Sequence, residues 1–327
     1  MIARMTAVLE AFAVGDAMGM PTEFMTRQEI RESFGFVSGL LEPKQSKNHG
    51  DLARGSITDD TEQNLYLLKA YCDHGSVSCD LTASTLLRWV QETDAVAKKY
   101  IGPSSLRALK AIQEGMDPHL AGRNGTTCGG LMRTLAAVFC TRGGDSLLDN
   151  ITACLIPTHY TSQALEAAGA YGFALQAALE GRTVEEILER ALVGGQQGMG
   201  RAPYFACAAS STARISHVIR LVPGTNLTDS LLDYLYGVLG TGLESADVCA
   251  AVFALFNFAK EDVWLAIQMG ASVGGDTDTI AALAGALCAA YAGSHNIPSA
   301  VLEEVVSRNS LDLPAVAVRV ADVFGTV

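Results

Sequence analysis

Positive charge is scarce in this 327-residue chain: 23 lysines and arginines stand against 35 acidic residues, for a net charge of −12. That balance repels phosphate backbones and anionic lipid unless a basic groove forms locally, and no run of Lys or Arg offers one. Nucleic acid is therefore not an expected partner. Long apolar runs are also missing: Ile280 to Ala292, the longest, is well short of the roughly 20 residues that span a bilayer, so no membrane span is expected. No C-x-x-C pair occurs among the eight cysteines, which read as reduced core thiols rather than as a zinc, redox or disulfide framework. An Ala11-Phe12-Ala13 triplet resembles a leader-cleavage site, but Arg4 and Glu10 interrupt any apolar region before it. An amphipathic helix in a cytoplasmic protein is the expectation. The chain has no Pro/Ser-rich linker, charge block, fixed-period repeat or low-complexity tract, so residues 1–327 are expected to form a single domain. Nothing in the sequence sets an oligomeric state.

What the chain does have is apolar content, 49% of its residues, enough to bury a full core. Its periodicity is helical. Met1, Met5, Val8, Leu9 and Phe12 recur at three- and four-residue steps, the stripe of a helix packed on one side. Leu65 to Cys72 and Ile280 to Tyr291 are apolar nearly all round, as in helices buried on every face. Leu165 to Leu179 and Ala246 to Phe258 are rich in Ala and Leu. Strand-like alternation is confined to short pieces such as His217 to Val222. Gly194 to Gly200 reads as a turn-rich connection, because no strand precedes it to make a phosphate loop. The expected fold is mostly or wholly α.

Two remote segments carry the same chemistry: Thr58-Asp59-Asp60-Thr61 and Asp276-Thr277-Asp278-Thr279. Each opens an apolar helix, where an Asp or Thr oxygen can cap free N–H groups, and Asp59 with Glu62 has the spacing of a capping box. A cap needs one acceptor, however, and each segment supplies two carboxylates and flanking hydroxyls. If the two helix starts meet, four carboxylates repel one another unless cations lie between them. The donors are hard oxygens without matching His or Cys, which favours Mg²⁺ or Mn²⁺, with Ca²⁺ possible, and four carboxylates suit two ions better than one. Gly274-Gly275 would let the backbone enter the second segment through conformations closed to other residues.

Taken in order, Gly15-Asp16-Ala17-Met18-Gly19 with Pro21 and Glu23, Ile57-Thr58-Asp59-Asp60-Thr61, Pro157-Thr158-His159 and Gly274-Gly275-Asp276-Thr277-Asp278-Thr279 resemble the ADP-ribosylglycohydrolase family. The resemblance extends from residue 15 to about residue 293. It implies an all-α fold, a single-domain orthogonal helical bundle with a central metal cleft holding two Mg²⁺ or Mn²⁺ ions at the bottom of an ADP-ribose site, with Thr58, Asp59, Asp60, Asp276, Asp278 and Thr279 at the ligand positions. Glu23 falls where the family carries an acidic residue beside the metals, and Glu23 and Asp276 become the catalytic candidates. The implied activity is metal-dependent hydrolysis of the glycosidic bond joining ADP-ribose to a protein side chain or small molecule.

Gly122 to Gly130 precedes an apolar run, Leu131 to Cys140, that looks helical, and such a loop can present N–H groups to an anion. An ordinary Gly-rich connection is the other reading. Since the family binds the diphosphate with a Gly-rich segment ending in Met-Arg, as Met132-Arg133 does here, the resemblance implies substrate contacts from Asn124, Gly125, Thr126, Gly129 and Gly130. The chain departs from the family pattern at Cys128, where Asn is common, and at Leu135-Ala136, where Pro is frequent. His159 is expected to contact substrate without acting as acid or base. His49, His74, His119, His217 and His295 read as surface or loop residues. Two other readings stay open: a metal-dependent N-glycosidase or hydrolase of a small nucleoside or nucleotide, and a non-catalytic ADP-ribose-binding protein.

Overall fold

The computed structural model describes residues 1–143, 145–221 and 228–325. The fold is all-α: 69% of it is helical, in 17 helices, with no sheet among the described residues and only two isolated bridges, Thr127 with Glu244 and Thr161 with Tyr204. At its centre lies the Thr277–Ala292 helix, buried without a break from Thr277 to Ala290. The N-terminal helix Ile2–Gly19, the helices Val263–Ser272 and Ser245–Ala259, and the helix Ser162–Leu179 all pack against it. One contiguous apolar core runs from Met5 to Phe324.

Glycines set how close these helices come. A Cβ on Gly15 would lie 2.5 Å from the Ala281 carbonyl oxygen, and one on Gly19 would lie 2.4 Å from the Asp278 Cα. Gly15 and Gly19 therefore let the N-terminal helix run antiparallel to the central one at backbone contact. The stripe expected on this helix describes only its first turns, since Ala11 to Gly19 are all buried.

Gly194 to Gly200 is not a turn. It completes the helix Val184–Arg201, which begins at a Thr183/Glu186 capping box and packs against Ser162–Leu179. A Cβ on Gly194 would meet the Gly169 carbonyl oxygen at 2.3 Å, and one on Gly198 the Leu165 carbonyl oxygen at 2.0 Å. The glycines that suggested a turn permit a close helix pair instead, and packing outweighs their poor helix propensity.

Other expectations need smaller corrections. His217 belongs to the helix Ser211–Leu221, and Val222 lies outside the described residues. Within Leu65 to Cys72, Lys69 is exposed and Leu65 and Tyr66 are half-buried, so the helix Asp59–His74 keeps one edge at the surface. Seven cysteines are buried free thiols, as expected, but Cys207 is exposed. No helix of the described residues is long and apolar enough to cross a membrane.

Candidate metal centre

The antiparallel pair of glycine-bearing helices delivers the first carboxylate. Asp16, on the last turn of the N-terminal helix, accepts hydrogen bonds from the Thr58 N–H at 3.0 Å and the Thr58 hydroxyl at 2.7 Å. It also accepts from the Thr61 N–H at 3.1 Å and the Thr61 hydroxyl at 2.6 Å. Asp16 thus clamps both ends of the Thr58-Asp59-Asp60-Thr61 turn. The Thr58 hydroxyl donates to Asp16 and so caps nothing. Glu62, whose spacing suggested a capping box, instead accepts from the Trp89 indole at 2.8 Å and the Tyr100 hydroxyl at 2.9 Å. Asp59 accepts from the Gln63 amide at 3.0 Å.

The second segment arrives through Gly274 and Gly275, which have φ of 86° and 84°. The Phe24 N–H donates to the Gly275 carbonyl at 2.7 Å, the Gly275 N–H to Met25 at 3.0 Å, and the Asp276 N–H to Thr241 at 2.8 Å. A Cβ on Gly275 would lie 2.0 Å from the Thr241 carbonyl oxygen. This knot brings the Glu23 segment beside Asp276 to Thr279. Asp276 takes the N-cap position of the central helix but makes no capping bond. Its carboxylate accepts from the Cys128 thiol at 2.8 Å and the Thr279 hydroxyl at 3.2 Å. Phe24, at φ 58°, and Lys99, at φ 63°, hold strained backbone on the wall of the same cleft.

Carboxylate oxygens of Asp16, Asp60 and Asp278 lie within 4.8 Å of one another, and so do ligand atoms of Glu23, His49 and Asp278. Asp278 belongs to both groups. Among the described residues, none of Asp16, Glu23, Asp59, Asp60, Asp276 and Asp278 pairs with a Lys or Arg. Burial, reinforced by the Asp278 charge, holds the acids of Glu23, Asp59, Asp60 and Asp276 well above the carboxylate range. Even Asp16, with its four donors, is pushed up to about 7 by burial. One oxygen of Asp60, Oδ1, is buried with no hydrogen-bond partner among the described residues. An orphaned carboxylate oxygen amid uncompensated hard donors fits a divalent cation such as Mg²⁺ or Mn²⁺.

The carboxylates floor a cleft with an empty volume of about 580 Å³. Glu23, Asp59, Asp60, Asp276, Asp278 and Thr279 all line it, as do Tyr100, Cys128 and Gly129. Thr58 does not line it, being fully buried beneath the floor against Asp16.

The Gly-rich segment is arranged differently from its expected form. Its helix is only Thr134–Phe139, too short and too late to aim a dipole at an anion held by Gly122 to Gly130. A Cβ on Gly125 would meet the Thr158 carbonyl oxygen at 1.9 Å, and one on Gly130 the His159 Cβ at 2.8 Å. These glycines serve a backbone packing. Asn124 is exposed and away from the cleft, while Thr126 lines a neighbouring depression with Gln163 and Glu244. His159 is completely buried, its Nε2 bonded to the Thr127 hydroxyl at 3.0 Å and its Nδ1 to the Thr158 hydroxyl at 2.8 Å. Burial and the nearby Arg133 charge hold its pKa well down, so it stays neutral and positions Thr127 rather than facing the cleft. Of the loop residues expected to touch substrate, Gly129 alone lines the cleft.

Three residues take roles in the site that the sequence reading did not assign them. Asp16 had a signal, the one polar side chain in the buried Ala11 to Gly19 half of its helix. Arg133, fully buried, donates to Gln63 at 3.2 Å and to the Thr158 hydroxyl at 2.5 Å, tying Asp59's partner to His159's. His49, expected at the surface, is buried and bonded to Glu23, and burial lowers its pKa.

The family model for ADP-ribosylglycohydrolases matches residues 1–326. The chain is 31% identical over 322 residues to YegU, an uncharacterised protein of Escherichia coli strain K12, covering 97% of this chain and 96% of that one. It is 25% identical over 314 residues to an ADP-ribosylarginine hydrolase of Pseudomonas putida strain GB-1, covering 92% and 74%. A solved structure titled ADP-ribosylglycohydrolase-related protein complex shares the fold with a TM-score of 0.70 at 24% identity, over 98% of each chain. The chain therefore belongs to the ADP-ribosylglycohydrolase family, hydrolases of ADP-ribosyl linkages.

Proposed function

We propose that residues 1–327 act as one domain that hydrolyses the glycosidic bond between ADP-ribose and its acceptor, at a centre holding two Mg²⁺ or Mn²⁺ ions. The supporting observation is Asp278, shared by two buried ligand groups, together with the unpartnered Oδ1 of Asp60. Asp59, Asp60, Asp276, Asp278 and Thr279 would hold the ions from the cleft floor, while Thr58 and Asp16 fix the turn that presents Asp59 and Asp60. The bound ions would supply Lewis acidity at the ribose end and offset the carboxylate charge. Breaking the bond develops positive charge on the ribose, which a cleft carboxylate not neutralised by an ion would stabilise. Glu23 and Asp276 both border the cleft, where a carboxylate can take the proton of the attacking water. Gly129 and Thr127, whose hydroxyl is held by His159, also line the cleft.

A panel of ADP-ribosylated acceptors, with Mg²⁺ or Mn²⁺ and with excess EDTA, tests this reading. ADP-ribosylarginine is the first acceptor to try, given the Pseudomonas relative's name. Turnover requiring the metal and lost in Asp60→Asn and Asp278→Asn supports it; undiminished turnover in EDTA contradicts it.

One observation favours a second reading, a hydrolase of a smaller nucleoside or nucleotide: the loop meant for the diphosphate is packed against Thr158 and His159. Competition decides between them, because an ADP-ribosyl enzyme should prefer ADP-ribose to AMP or ribose by more than about tenfold, or about 1.4 kcal/mol. Tight ADP-ribose binding with no hydrolysis of any acceptor would instead indicate a binding protein.

A further inference from the structure

His49 has no part in an all-oxygen centre, yet its environment is not that of a structural histidine. Its side chain is completely buried. Among the described residues, its one ring hydrogen bond is from Nε2 to Glu23, and Nδ1 has no partner at all. No backbone carbonyl or hydroxyl of those residues holds the ring, in contrast to His159, which is bonded through both nitrogens. Buried polar groups in folded proteins are ordinarily satisfied, so a buried ring held only through Nε2 by a carboxylate, with Nδ1 unpartnered, is under-satisfied in a way that a cation shared with that carboxylate would relieve. Two backbone bonds secure its loop: the His49 N–H donates to the Ser46 hydroxyl at 3.1 Å, and the Leu52 N–H donates to the His49 carbonyl at 3.0 Å. The ring is thereby held within 4.8 Å of ligand oxygens on Glu23 and Asp278, the latter shared with the Asp16 and Asp60 group.

We infer that His49 is a nitrogen ligand in the metal centre, so that one ion sits on oxygen donors alone and the other on Glu23, Asp278 and the His49 imidazole. The inference rests on the proposed reading that the carboxylates bind divalent ions. Imidazole suits Mn²⁺ and later first-row ions better than Mg²⁺, which prefers oxygen, so the mixed lobe should select Mn²⁺ over Mg²⁺.

Pulsed electron paramagnetic resonance of the full-length protein loaded with Mn²⁺ tests it, since a directly bound imidazole gives a ¹⁴N modulation independent of turnover. The expected result is ¹⁴N modulation in the wild type, lost in His49→Gln, with the Mn²⁺ to Mg²⁺ affinity ratio by calorimetry falling at least about tenfold. Should His49→Gln not fold, wild-type protein labelled with ¹⁵N-histidine must lose the ¹⁴N signal. Mn²⁺ bound without nitrogen coupling, or coupling that persists in a folded His49→Gln, overturns the inference while leaving the oxygen centre standing. Failure to bind Mn²⁺ at all overturns both.

Discussion

Each carboxylate in the centre is placed by a different device, and their substitution should separate charge from architecture. Asp60 has an oxygen without a partner, so Asp60→Asn removes a ligand and a repulsive charge while breaking no hydrogen bond to Oδ1. Wild-type protein at a Mn²⁺ concentration one hundred times its Kd should gain about 2.7 kcal/mol of stability for each ion bound. In Asp60→Asn the gain from the all-oxygen ion should be lost, metal-free stability at pH 8 should not fall, and turnover should drop by more than about a hundredfold, beyond the usual cost of altering a group that only supports a ligand. Thermal unfolding with and without Mn²⁺, alongside a turnover assay, checks all three. Asp16→Asn should behave in the opposite way, because Asp16 organises the Thr58 to Thr61 turn through four bonds and an amide cannot accept them all. It should lose stability even in EDTA. Legibility at this scale followed redundancy: the paired Asp-rich segments announced themselves by repeating one chemistry twice. His49 carried no such signal, for a lone His in a loop of ordinary composition acquires its meaning only when folding sets it against Glu23.

At the scale of helices, the apolar segments Leu165 to Leu179, Ala246 to Phe258 and Ile280 to Tyr291 were readable because each is a long Ala- and Leu-rich run without proline and with at most one charge. Glycine was not readable, since its conformational freedom and its small size leave the same letter in the sequence. In Gly274-Gly275 the freedom is used, at positive φ, whereas in Gly194 and Gly198 the small size is used, inside a helix. Two neighbouring substitutions should tell these roles apart. Gly198→Ala places a methyl 2.0 Å from the Leu165 carbonyl oxygen and should destabilise the protein by about 1–3 kcal/mol, through overpacking. Gly200, in the same helix, has nothing within 4 Å of its would-be Cβ, so Gly200→Ala should be neutral or stabilising by up to about 1 kcal/mol. Urea unfolding of both variants measures the contrast, and equal destabilisation would return Gly198 to the role of an ordinary helix glycine.

For the whole molecule, the buried acids make metal-free stability depend on pH in an unusual direction. Asp16 titrates at about 7 in the folded chain, against 3.8 for an ordinary aspartate exposed in an unfolded one. Between those values the folded state holds a proton that the unfolded state has released, so stability must fall as pH rises through that window. Glu23, Asp59, Asp60 and Asp276 are raised in the same direction. Urea unfolding in EDTA should show stability declining from about pH 5 to pH 8, and saturating Mn²⁺ should remove the decline by holding the carboxylates ionised. Stability that rises across that range in EDTA would contradict the burial of this charge. The bond from the Thr279 hydroxyl to Asp60 joins residues 219 positions apart. On a ribosome adding about 5–20 residues per second, roughly ten to forty seconds separate the synthesis of its two ends. Throughout that interval the nascent chain carries its first aspartates without the partners that complete the cluster, so a cation that needs both segments can be held only late in its biogenesis.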